Sequence, residues 1–93
     1  MYATIRNYAG NAGLADALVE RESEVRGIVS GIAGFKAYYL IQTADGAASV
    51  SVFDDEAGAS ESTSAAGAWV AENLPEHAGT PPQVSAGEVV ITF

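Results

Sequence analysis

Ninety-three residues at 9.5 kDa suffice for one domain, spanning 1–93, and are too few for two, because chains of this size only just bury an adequate core. Twelve acidic against four basic side chains leave a net charge of -8, which repels nucleic-acid phosphates and anionic lipid surfaces and argues against both as partners. With no cysteine there is no disulfide, thiolate nucleophile or cysteine-ligated metal, and with no leader-like opening and no apolar run of about 18 to 20 residues a cytoplasmic protein without a membrane span is expected.

Tyr2 to Tyr8 alternates in chemistry, with Tyr2, Thr4, Arg6 and Tyr8 on one face and Ala3, Ile5 and Asn7 on the other; the period of two predicts a strand. Turn residues follow, with Asn11 as an expected helix N-cap. Leu14, Leu18, Arg21, Val25, Ile28 and Ile32 then recur at spacings of three and four, predicting one amphipathic helix that stops at Gly31 and Gly34. Phe35 to Thr43 and Ala48 to Phe53 read as two strands around the Asp45-Gly46 turn. Asp54-Asp55-Glu56 supplies acids where a helix would start, and Ser62, Ala65, Ala66, Trp69, Val70 and Asn73 line one stripe of it before Pro75 forbids continuation. After a Gly/Pro loop, Glu88 to Phe93, with Val89-Val90-Ile91 and a terminal phenylalanine, predicts a last, well-buried strand.

The order β-α-β-β-α-β with right-handed crossovers predicts an α+β, ferredoxin-like domain: a four-stranded antiparallel sheet with both helices on one face. Both faces of the strands carry bulky apolar or aromatic groups, so the uncovered face would leave an apolar patch wet. A homodimer through that sheet face is expected, while which set of strand residues meets the partner is left open.

The runs Gly31-Ile32-Ala33-Gly34-Phe35-Lys36-Ala37-Tyr38-Tyr39, Ser51-Val52-Phe53-Asp54 and Ala65-Ala66-Gly67-Ala68-Trp69-Val70-Ala71-Glu72-Asn73-Leu74 together resemble the dimeric α/β-barrel superfamily, and within it the antibiotic-biosynthesis-monooxygenase-like group, over nearly all of Tyr2 to Phe93. The resemblance implies a small-molecule-binding dimer, with cofactor-independent oxygenase or isomerase chemistry on an aromatic or polyketide-like compound as the activity to test. It also leaves a non-catalytic structural or interaction dimer as the alternative, because one fold hosts many activities. For haem-degrading relatives it further implies an asparagine on the first strand and a tryptophan and histidine at the last helix, which would be Asn7, Trp69 and His77. Pro75 falls between the last two and would put the imidazole in a flexible loop instead of on a fixed ligand-bearing turn.

The residues themselves nominate the same region. Trp69 fills volume among alanines or walls a planar ligand; Asn73 caps its helix or aims an amide at a ligand oxygen. Tyr38 and Tyr39, with Tyr2 and Tyr8, offer phenols for an interface or a ligand, and Arg6 on a central strand needs a carboxylate or an anionic ligand if it is buried. Arg6, Tyr38, Tyr39, Trp69 and Asn73 are therefore the expected ligand-binding set, with Asn7, Trp69, Asn73 and His77 as catalytic candidates. His77, the one histidine, is expected to be solvated in its loop. The acids at Asp54 to Glu56 are read as helix-start residues, so no metal site and no cofactor are expected.

Overall fold

A computed structural model describes all 93 residues. Strand β1 (Tyr2–Tyr8) leads into helices α1 (Leu14–Glu20) and α2 (Glu22–Ser30), then β2 (Phe35–Gln42), β3 (Ala47–Phe53), helix α3 (Glu56–Asn73), a 3-10 turn (Pro75–His77) and β4 (Gln83–Glu88). The sheet runs β2-β3-β1-β4 with every neighbouring pair antiparallel. This is the ferredoxin-like arrangement that the strand-helix order predicts, with the helices on one sheet face.

The strands' alternation decides which residues meet the helices. Along β1 the buried positions are Thr4, Arg6 and Tyr8 while Ile5 and Asn7 are exposed. The register continues this face through Ser51, Ser49 and Ala47 of β3 and Tyr38 and Leu40 of β2. The opposite, open face carries Ile5, Val50, Val52, Tyr39 and Ile41. Apolar packing under the helices gathers at two ends. Tyr8, Leu14, Leu18, Ala47, Val70 and Leu74 form one cluster, and Val29, Ile32, Phe53 and Ala59 the other.

Helix α3 starts where the acids were expected to start it. The Asp55 carboxylate accepts from the Gly58 N–H at 3.1 Å, satisfying an otherwise orphaned donor. Gly58 is there because α3 crosses tightly over the sheet: a Cβ at that position would come within 3.1 Å of the Phe53 Cβ and 3.0 Å of the Ala33 carbonyl oxygen.

Three sequence expectations are corrected. The single helix from Leu14 is two, because Arg21 leaves the helical region (φ -112°, ψ 28°); its side chain turns toward α3, with the guanidinium 5.8 Å from the Trp69 ring centroid in cation–π range. Asn11 is not the N-cap, a place taken by Gly13 at φ 85°, a conformation glycine adopts without steric cost. The last strand is Gln83–Glu88 and not Glu88–Phe93, and it is exposed along its length. Because Glu88 already pairs with Tyr2 and Val89 N–H reaches the Met1 carbonyl at 2.9 Å, residues beyond Val89 run past the end of β1 and have no strand of their own chain to join. Val90, Ile91 and Phe93 are left exposed.

Candidate functional site

Between the two apolar clusters the interior is polar. Thr4 and Arg6 of β1, Ser49 and Ser51 of β3 and Ser62 of α3 are all at most 2% exposed. Period-two alternation puts the strand residues under α3, and Ser62 lies on the same helix stripe as Trp69 and Val70. The Arg6 guanidinium is the centre of this belt. Its Nε donates to Ser49 Oγ at 3.1 Å, its Nη2 to Ser51 Oγ at 2.7 Å, and its Nη1 to Ser62 Oγ and Thr63 Oγ1, both at 3.2 Å. Every partner is a neutral hydroxyl. The chain's ion pairs lie elsewhere, at Arg21–Glu24, Arg26–Glu22 and Lys36–Asp54. A buried cation paid for by dipoles alone retains a desolvation cost of several kcal/mol that a counter-charge would offset. One step along the same strand face, the buried Thr4 hydroxyl has no hydrogen-bond partner at all.

Tyr8 and Tyr38 flank this charge. Burial pushes both phenols above their ordinary value near 10, opposed in part by the attraction of Arg6 for a phenolate; both are therefore neutral hydrogen-bond donors at physiological pH. The folded chain holds these protons more tightly than the unfolded chain, so their contribution to stability is complete below pH 10 and is lost as pH rises above it through the raised values. In a Tyr2→Phe/Tyr39→Phe variant, the remaining phenolate absorbance should appear together with loss of far-ultraviolet circular dichroism. Ionisation near pH 10 in a chain that stays folded would contradict the assignment.

A cleft of about 550 Å³ opens beside the belt, between α1–α2 and β2. Leu18, Val25, Val29, Phe35, Tyr38 and Leu40 line it, and the carboxylate on its rim, Glu22, is held by Arg26 at 2.9 Å. Further in, a cavity of about 30 Å³ is bounded by Arg6, Tyr8, Tyr38 and Trp69 among others. Leu18, Val25, Val29 and Tyr38 line both spaces, so the cleft and the cavity beside the guanidinium adjoin.

The expected site residues separate into groups. Arg6, Tyr38 and Trp69 come together at the small cavity. Asn73 lies off it: its Nδ2 donates to the Trp69 carbonyl at 3.0 Å and its Oδ1 accepts from Arg21 at 3.5 Å. Tyr39 is on the open face, 61% exposed. Asn7 is exposed on that same open face, across the sheet from Trp69, so the asparagine–tryptophan–histidine set of the haem-degrading reading is not assembled, and a cavity of about 30 Å³ at Trp69 does not fit a porphyrin.

His77 departs from expectation differently. It is held, not solvated, with a side chain 14% exposed. The Asn11 Nδ2 donates to the His77 carbonyl at 2.9 Å, and this fixes the amide so that Oδ1 faces His77 Nδ1 at 2.7 Å. Nδ1 is then the nitrogen that donates, to the Asn11 Oδ1. Asn11 was missed as a partner because it and His77 are 66 residues apart in sequence. The serine belt was missed because serines alternating with valines in β3 look like a solvated strand face.

No protein-family model matches the chain, and no curated protein matches it either. Solved structures do. A candidate antibiotic biosynthesis monooxygenase from Nitrosomonas europaea superposes with TM-score 0.71 at 14% identity, over 98% of this chain and 100% of that one. The monooxygenase from the gene ActVA-Orf6 of Streptomyces coelicolor, in complex with nanaomycin D, gives 0.61 at 18% identity, over 98% and 91%. The haem-degrader MhuD of Mycobacterium tuberculosis, with two haems bound in its active site, gives 0.60 at 20% identity, over 100% and 99%. What the chain shares with these structures is the ferredoxin-like α+β fold.

Proposed function

We propose that the chain forms a homodimer through its open sheet face and binds a small, planar, oxygenated aromatic molecule in the cleft between α1–α2 and β2. The observation that carries this reading is the cleft itself. At about 550 Å³ it falls in the range of small-molecule sites, roughly 300 to 1,000 Å³, its walls are mostly apolar, and the small cavity that adjoins it is lined by three hydrogen-bond donors, Arg6, Tyr8 and Tyr38. The fold shared with a monooxygenase bound to nanaomycin D supports the ligand class by analogy.

Such a donor-only site suits cofactor-independent oxygenation, in which the substrate supplies its own acidity. A ring CH2 group conjugated through the aromatic rings with a ketone ionises to an enolate and passes its electrons to dioxygen; one oxygen atom becomes the new ring carbonyl and the other leaves as water. Arg6, Tyr8 and Tyr38 would stabilise the oxygen on which the negative charge rests. A second reading, a binding or interaction dimer without catalysis, is favoured by the pairing of Glu22 with Arg26, which leaves no free base on the cleft.

Anthrones and hydroxylated naphthoquinones test both. A member of this class at about a hundredfold its Kd should stabilise the fold by roughly 2.7 kcal/mol and quench Trp69 fluorescence, and Val25→Trp, which fills the cleft, should abolish both effects. One dioxygen consumed per anthrone converted marks the oxygenase; binding without uptake marks the module. No thermal shift with any of them, or unchanged binding in Val25→Trp, removes the proposal.

A further inference from the structure

Two features of the hydroxyl belt converge on one ligand property. Arg6 is 1% exposed and surrounded by the hydroxyls of Ser49, Ser51, Ser62 and Thr63, so its charge is solvated but not neutralised. The space beside the guanidinium, about 30 Å³, exceeds the roughly 10 to 15 Å³ that one water needs, and so has room for a single ligand oxygen.

We infer that the cleft takes its ligand as an anion, with an ionised phenol or enol oxygen seated in the small cavity against Arg6 and the aromatic body in the cleft. The inference rests on the binding reading above and adds the charge state of what is bound. A neutral hydroxyl in that cavity would have hydrogen bonds but would leave the guanidinium unneutralised, whereas an oxyanion supplies both hydrogen-bond acceptor and counter-charge. The cavity's other polar walls agree, since Tyr8 and Tyr38 keep their protons and can only donate to such an oxygen. Selection for the ionised form also delivers the ligand in the state from which it can lose electrons to dioxygen.

The test uses the full chain and 1,2-dihydroxyanthraquinone, whose visible spectrum reports its ionisation, beside 9,10-anthraquinone, which has no ionisable group. Spectrophotometric titration of the protein-bound dye should show half-ionisation at least one pH unit below that of the free dye, equivalent to at least tenfold tighter binding of the anion. Arg6→Gln should remove that displacement and Arg6→Lys should retain part of it. If Arg6→Gln does not fold, the wild-type titration decides alone. A bound dye that ionises at or above its solution midpoint overturns the inference while leaving the binding reading intact. If neither compound binds, the binding reading fails and takes this inference with it.

Discussion

Phe53→Ala should cost about 3 to 5 kcal/mol, a large part of the roughly 5 to 15 kcal/mol that holds a domain of this kind together. Phe53 is fully buried, stacks edge-to-face on Phe35 with centroids 5.9 Å apart, and supports the end of the core formed with Val29, Ile32 and Ala59. Its neighbours on α3 cannot follow it inward. Gly58 has no side chain to offer, Ala59 has one carbon, and α3 is held at its start by the Asp55 cap. The void therefore persists, which places the cost toward the upper part of the range. Urea unfolding of Phe53→Ala beside Phe53→Leu measures it, and a loss below about 1.5 kcal/mol, the tolerance of volume-conserving swaps, would mean that this end of the core is much looser than described.

The second large effect concerns the open face. Ile5, Tyr39 and Ile41 are 48%, 61% and 47% exposed and stand together with Val50 and Val52 across three adjacent strands, a contiguous apolar surface of the sort that marks an interface. Val90, Ile91 and Phe93, which follow β4, are exposed as well. Light scattering at micromolar concentration should report a particle of twice the 9.5 kDa chain. In a two-fold interface each substitution occurs twice. Ile5→Asp with Tyr39→Asp thus sets four unpaired carboxylates into the contact, and dissociation should rise on the order of a thousandfold or more. A wild-type particle of single-chain mass would remove the homodimer, and the same variant keeping the doubled mass would place the interface on a different surface.

Much of the architecture was legible because it is written in local periods. The alternation of β1, the Asp45-Gly46 turn, the acids before α3 and Pro75 after it each carry a local physical signal, and the strand-helix order then admits few topologies. The site was legible in its members more than in its arrangement. Arg6 stood out as a cation on a central strand, but its partners, Ser49, Ser51, Ser62 and Thr63, are 43 to 57 residues away and carry no pattern that marks them as a cage. The tyrosines divided by parity: Tyr38 went to the helix side and Tyr39 to the open side, a choice set by register and invisible to composition. The break at Arg21 escaped because the apolar spacing continues through it. Glu88 to Phe93 was misread because its apolar run imitates a buried strand, whereas pairing with β1 ends at Glu88 and Val89.

The clasp between Asn11 and His77 has a bearing on how the molecule comes together. It joins the turn before α1 to the turn after α3, closing a loop of 66 residues at an entropic cost that grows with the logarithm of that span. Such a contact rewards the chain only once both halves have already docked. It therefore belongs to the late events of folding, where its loss quickens unfolding and barely slows refolding.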